Sequence, residues 1–248
     1  MKTSNGIMTI YKKELNTFFY SMVAYIFLII FILVPNILFF FFFGGIFKEN
    51  IASMRSYFIM LPFVFVIFIP GLNMGSWSKE KEDGTLELLF TFPVSEVKVV
   101  IGKFLASLTI VVIALAATLF IPILIQIFLG NFDWGQLVAQ YIGAIFLASC
   151  YIAITFFVSS MNNEMVNSFL ISATFLLLFN ILGFWVSAVP FPLALEWFRG
   201  ILVWISPTIH FSNFSKGVID FRDLIYYIGI TVIFFYLNLR SLESRKWR

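Results

Sequence analysis

The sequence predicts an all-α integral membrane protein with six transmembrane helices, and three observations carry that prediction. Hydrophobic residues make up 61% of the chain, with 34 Phe, while only 12% of residues are charged, too few to give a soluble domain a polar surface. The apolar residues fall in separate runs of about 20 or more, the length a helix needs to cross a hydrocarbon core of about 30 Å. The charged residues collect at the ends of those runs, where they are cheap to keep. One transmembrane domain over 1–248 accounts for all three.

In chain order, Tyr11-Lys12-Lys13-Glu14-Leu15 lies between apolar residues and predicts an amphipathic interfacial helix over 8–20. The apolar run that follows is longer than the core of a signal peptide. It continues into Gly44-Gly45-Ile46-Phe47 rather than a small-x-small cleavage site, so it is expected to remain as span one, about 22–43. Lys48, Glu49, Asn50 and Arg55 then break the pattern before span two, about 57–76. Its Pro62 and Pro70 each remove a backbone donor and predict kinks. Span three, about 97–129, would be roughly 50 Å long as one continuous helix, so its first turns are expected to protrude. Gly130 to Gly135 reads as a turn with Trp134 as an interfacial anchor, leading to span four, about 137–158. A polar link over 159–167 without Lys or Arg leads to span five, about 168–189. Pro190, Pro192, Arg199, Gly200, Ser206 and Pro207 interrupt the next apolar segment, which predicts short re-entrant or interfacial helices. Backbone broken in this way is tolerated at membrane depth only when buried in protein or facing water. Span six, about 221–239, ends in the basic tail Arg240, Arg245, Lys246 and Arg248. With both termini inside, only Lys48, Arg55, Arg199, Lys216 and Arg222 of the 16 Lys and Arg fall outside, as the positive-inside rule asks.

The densest run of charge is the loop that starts at Trp77 and closes with Gly102-Lys103. Gly84 can take the positive φ that ends one helix, Thr85 can cap the next, and Glu87 falls in a first turn that favours an acid. Leu86, Leu89 and Phe90 share one side of that short helix, Pro93 stops it, and Ser95-Glu96 offers a fresh cap. Over 77–98 this predicts a capped amphipathic helix between two spans. It is suited to dock in a groove of a soluble partner, although such helices also rest on headgroups and the stretch also reads as an ordinary polar loop.

Several classes of chemistry lack their residues. Gly102-Lys103 is followed by Phe104 and does not form a nucleotide-binding loop, so any ATP is bound by another chain and this one is not expected to be an enzyme. Cys150 is the single cysteine, which excludes an intrachain disulfide and a cysteine metal cluster. His210, also single, reads as a hydrogen-bonded structural residue rather than a metal or catalytic centre. The net charge of +3 is not gathered in an aromatic-laced patch, so nucleic acid is not an expected partner. Within the spans only Gln126 and Asn180 are polar amide candidates, and both read as helix-packing contacts. An ion-coupled carrier would be expected to keep charge near the midplane. Arg55, Glu196, Arg199, Asp220 and Arg222 lie at membrane edges and read as anchors.

Glu80, Gly84-Thr85-Leu86-Glu87-Leu88-Leu89, Pro93, Glu96 and Gly102-Lys103 resemble the loop between the second and third spans of ABC-2 type permeases. Tyr11-Lys-Lys-Glu-Leu15, Ser206-Pro-Thr-Ile-His-Phe211 and the stretch from Lys216 to Tyr227 extend the likeness over essentially the whole chain. They are similar to the permease subunit of the gliding-motility type within that group. The resemblance implies an ABC-2 exporter-type fold with six spans, an amphipathic amino-terminal helix and re-entrant helices between spans five and six. It also implies two permeases, the same or homologous, on two copies of an ABC ATPase subunit. The coupling interface would comprise Glu80, Gly84, Thr85, Leu86, Glu87, Leu88, Leu89, Phe90, Pro93 and Glu96. The function to expect is the permease subunit of an ATP-driven exporter in a bacterial inner membrane, with both termini cytosolic. No cofactor is expected on this chain, with ATP and Mg held by the partner. The alternative is a non-transporting subunit that passes the work of ATP hydrolysis to an envelope protein.

Overall fold

Away from water a helix closes its backbone hydrogen bonds within itself, and this chain uses that solution: no strand occurs among the described residues. The computed structural model describes residues 5–42, 53–86, 95–130, 132–188 and 196–245. The helices are α1 (Asn5–Phe19), α2 (Met22–Ile37, continued by a π-helical turn at Leu38–Phe42), α3 (Arg55–Asn73), α4 (Ser78–Glu82), α5 (Glu96–Ala117) and α6 (Phe120–Leu129). They continue with α7 (Trp134–Met161), α8 (Met165–Ala188), α9 (Glu196–Ile205), α10 (Pro207–Ser215) and α11 (Phe221–Arg245). Six stretches are long and apolar enough to cross a membrane: Ala24–Phe41, Arg55–Glu82, Glu96–Phe128, Trp134–Met161, Met165–Val186 and Phe221–Ser244. Their number is the six expected.

The hub is α7. Asp133 caps its start, accepting from the amides of Gly135 at 2.9 Å and Gln136 at 3.1 Å. Its residues from Gly143 to Ser160 are mostly buried, and small ones such as Gly143, Ala144 and Ala148 let neighbours approach closely. At Gly143 an added Cβ would lie 2.5 Å from Cβ of Phe214, so glycine sets the distance between α7 and α10. On another side, α2 is keyed to α3 by Phe31, whose ring lies 4.3 Å from Phe68 and 5.8 Å from Phe65.

Pro62 and Pro70 lie inside α3, which continues through both as one helical element. Each proline removes one bond, to the carbonyl of Phe58 or Val66, while the buried surroundings hold the turns in place. The third span is not one continuous helix, because α5 gives way to α6 at Thr118-Leu119. Pro122 has no N–H for the Thr118 carbonyl, and the Thr118 hydroxyl donates to the Leu115 carbonyl at 2.7 Å while lying 2.8 Å from the Tyr141 hydroxyl.

The short helices α9 and α10 meet at Ser206-Pro207. The hydroxyls of Tyr226 and Tyr227 donate to the carbonyls of Ile205 and Pro207, and Thr208 donates to Oδ1 of Asn180 at 2.7 Å. Asn180 lies eight residues inside the end of α8, about 12 Å along its axis. From there α10 rises to Ser215, whose carbonyl accepts from Gln140 at 2.8 Å near the start of α7. The two short helices occupy the segment expected to be re-entrant or interfacial, and the broken backbone between them is satisfied by protein donors.

Candidate functional site

At the opposite end of α7, the chain leaves α3 through a tight turn that is fastened to the hub. The hydroxyl of Ser159 accepts from the amides of Trp77 at 3.1 Å and Ser78 at 3.2 Å and donates to the Met74 carbonyl at 3.1 Å. Lys81 then reaches across to the last carbonyls of α7, at 3.0 Å from Asn162 and closer to Ser160. A cation belongs there, because a helix carboxyl end carries unpaired carbonyls and partial negative charge. After α4 the chain closes a Schellman motif. Gly84 has φ +66, its amide donates to the Lys81 carbonyl at 3.1 Å, and the Thr85 amide donates to that of Glu80 at 2.8 Å.

The centre of this end is Lys103, on α5. Its side chain is 5% exposed, and its ammonium lies 2.8 Å from Oε1 of Glu80, 3.3 Å from Oε1 of Glu14 and 2.8 Å from the Ser76 carbonyl. The cation also sits 4.9 Å from the centre of the Trp77 ring. One ammonium therefore joins α1, α4 and α5. Gly102 makes the approach of α1 possible, since a Cβ there would stand 2.9 Å from Cβ of Ile10 and 3.2 Å from the Ile7 carbonyl. Tyr11 and Thr109 add a hydroxyl pair at 3.1 Å. Thus α1 turns its Ile10, Tyr11 and Glu14 side to α5 and leaves Lys12 and Lys13 exposed. Under the ion cluster, Trp77, Val99, Val100 and Leu242 form a small buried core.

A family model described as ABC-2 family transporter protein matches residues 8–247. The chain belongs to the ABC-2 transporter family. It is thus a multi-pass membrane protein and a permease subunit of an ABC transporter, and the family implies an ABC ATPase partner. Comparison with curated proteins finds no match.

Against this ABC-2 assignment, the residues expected to couple are placed differently from one another. Glu80 is turned inward and held by Lys103, while Gly84 and Thr85 are exposed in the Schellman turn. The Thr85 hydroxyl donates back to the Glu80 carbonyl at 3.2 Å. Leu86, expected on the docking side, instead packs partly buried on the Trp77 core of its own chain, because that core offers the nearest apolar cover. Glu96 stands in the first turn of α5 behind Ser95, which occupies the cap position without a side-chain cap bond. Glu87, Leu88, Leu89, Phe90 and Pro93, the body of the expected coupling helix, lie outside the described residues.

Sequence reasoning gave no role to Lys103, Lys81, Glu14 or Ser159, although Lys103 stood in the motif. A lysine after a glycine on an otherwise apolar helix was the available signal. Asn180 is the expected packing contact, donating to the Tyr151 hydroxyl at 2.7 Å. Gln126 differs, since its side chain is exposed on α6 four residues before Gly130, close enough to the helix end for an amide to reach the interface. His210 is hydrogen-bonded as expected, to Asp223, which the sequence reading had not singled out.

Proposed function

We propose that this ABC-2 protein is the permease subunit of an ATP-driven exporter of a bacterial inner membrane, coupled to its ATPase through the loop over 77–98. Both termini and that loop are cytosolic, and two permeases sit on two ATPase subunits that bind ATP and Mg. The observation that supports this best is how the loop begins: Ser159, Lys81 and Lys103 fasten its base to α7, α5 and α1. A displacement applied to such a loop is carried to the hub helix instead of being absorbed by slack chain. The amphipathic pattern of Leu89 and Phe90 supplies a surface for a groove in the partner.

The test is Leu89→Asp beside Val218→Asp, a site exposed at the opposite end of the bundle. Buried at a contact, the new charge should cost several kcal/mol of association, while on a free loop it costs almost nothing. Co-purification of the ATPase and ATP turnover in proteoliposomes are the readouts. Both should be lost in Leu89→Asp and kept in Val218→Asp; retention of the ATPase by both variants would refute docking through this loop.

A further inference from the structure

The junction of α9 and α10 is tied to the last span through His210, the single histidine of the chain. Its side chain is 14% exposed and that of its partner Asp223 is 5% exposed. Nδ1 lies 2.6 Å from Oδ1 of Asp223, and Nε2 lies 3.3 Å from the carbonyl oxygen of Trp204. The second carboxylate oxygen of Asp223 accepts from Asn213 at 2.8 Å. The Tyr226 ring stacks on the imidazole with centroids 3.9 Å apart and planes 20° from parallel, and the same tyrosine donates its hydroxyl to the Ile205 carbonyl.

Both ring nitrogens therefore face acceptors. A neutral imidazole carries one N–H, so it can serve the carboxylate or the carbonyl and must turn a lone pair toward the other. The imidazolium donates to both, places its charge beside the carboxylate and rests on an aromatic face. We propose that His210 is held as an imidazolium and that its pair with Asp223 is a proton-dependent clasp seating the α9–α10 hairpin against α11.

Among the described residues, the groups facing the pair fit a cation with one counter-ion. On α11 these are Asp223 and Tyr226, on α10 Asn213, and on α9 the Trp204 carbonyl. Toward α10, α7 and α8 present the uncharged side chains of Gln140, Tyr151 and Asn180. Lys216 and Arg222 are exposed, Asp220 accepts from the amide of Arg222 at 2.9 Å, and Arg199 is half-exposed on α9. Loss of the second ring proton removes one donor and the charge pairing together. This inference is independent of the coupling loop, which lies at the other end of α7.

A single histidine makes the test direct. In chain carrying 15N-imidazole histidine and embedded in a bilayer, solid-state NMR at neutral pH should show two protonated ring nitrogens; one protonated and one bare nitrogen would overturn the proposal. In a second measurement, Ser212→Cys on α10 is labelled by a maleimide at fixed pH with His210→Gln or Asp223→Asn added. An Ala148→Cys control reports on the hub. Labelling of the thiol introduced on α10 should accelerate by on the order of a hundredfold while the control stays unlabelled. Unchanged labelling on α10, or equal acceleration at both sites, would overturn a clasp confined to the hairpin.

Discussion

Replacing Lys103 by Met removes the one cation shared by α1, α4 and α5 and keeps most of its apolar stem. At 2.8 and 3.3 Å, each ammonium–carboxylate contact has a gross attraction of about 5 kcal/mol at an effective dielectric near 20, much of it offset by desolvation. The two arms are unequal. Glu14 is 26% exposed, so solvent screens its arm to about 1 kcal/mol or less, whereas Glu80 is 16% exposed and shares the ammonium with the Ser76 carbonyl. Without the lysine, two carboxylates face each other in a half-buried site. Breaking such a pair costs about 3 to 5 kcal/mol. For a chain of this size that lowers the thermal midpoint by on the order of 10 °C. The assay is thermal unfolding of the chain alone in lipid nanodiscs, followed by intrinsic fluorescence. Lys103→Met should melt lowest and Glu14→Gln close to wild type. The triple change with Glu14→Gln and Glu80→Gln should recover most of the loss, because nothing charged is left unpaired. A Lys103→Met chain that melts with the wild type would show that the cluster holds nothing together.

The remaining predictions concern side, packing and polar bonding. Lys79→Cys, exposed on α4, should be protected from an impermeant maleimide in cells with an opened outer membrane, while Ser53→Cys is labelled; the reverse pattern would end the proposed orientation. Gly143→Ala should destabilise by about 1 to 3 kcal/mol, since its Cβ meets Phe214 at 2.5 Å, whereas Gly229→Ala, with nothing within 4 Å, should be neutral or stabilising by up to about 1 kcal/mol. Equal melting of the two glycine variants would refute the close approach of α7 and α10. Asn180→Leu should cost about 1 to 3 kcal/mol by leaving the Thr208 hydroxyl without its acceptor, and Thr208→Val added to it should recover part of that loss. Additive costs in the double variant would count against the bond.

Much of the architecture was legible because membranes impose simple rules on sequence. Six apolar runs, the turn at Gly84 and the interrupted segment around Ser206-Pro207 all appear where composition and glycine or proline placement put them. Local rules failed where a neighbour supplied what the local sequence lacked. Leu86 turned inward because the Trp77 core lay beside it. The Thr118 break was readable in principle from Pro122, four residues on, but a long apolar run masks a single missing donor.

The sequence by itself determined the class, the number of spans, the polar loop after the second span and membership of a family, because each depends on length, hydropathy or residue order along the chain. Only the tertiary structure decided which charges meet. Lys103 meets Glu80 across 23 positions and Glu14 across a far longer stretch, and Asp223 meets His210 across 13, yet each of these pairs lies within 3.3 Å. In a chain this poor in charge, the cost of leaving an ion unpaired inside the bundle selects such pairings. That selection acts on distances in space, which hydropathy and spacing do not encode.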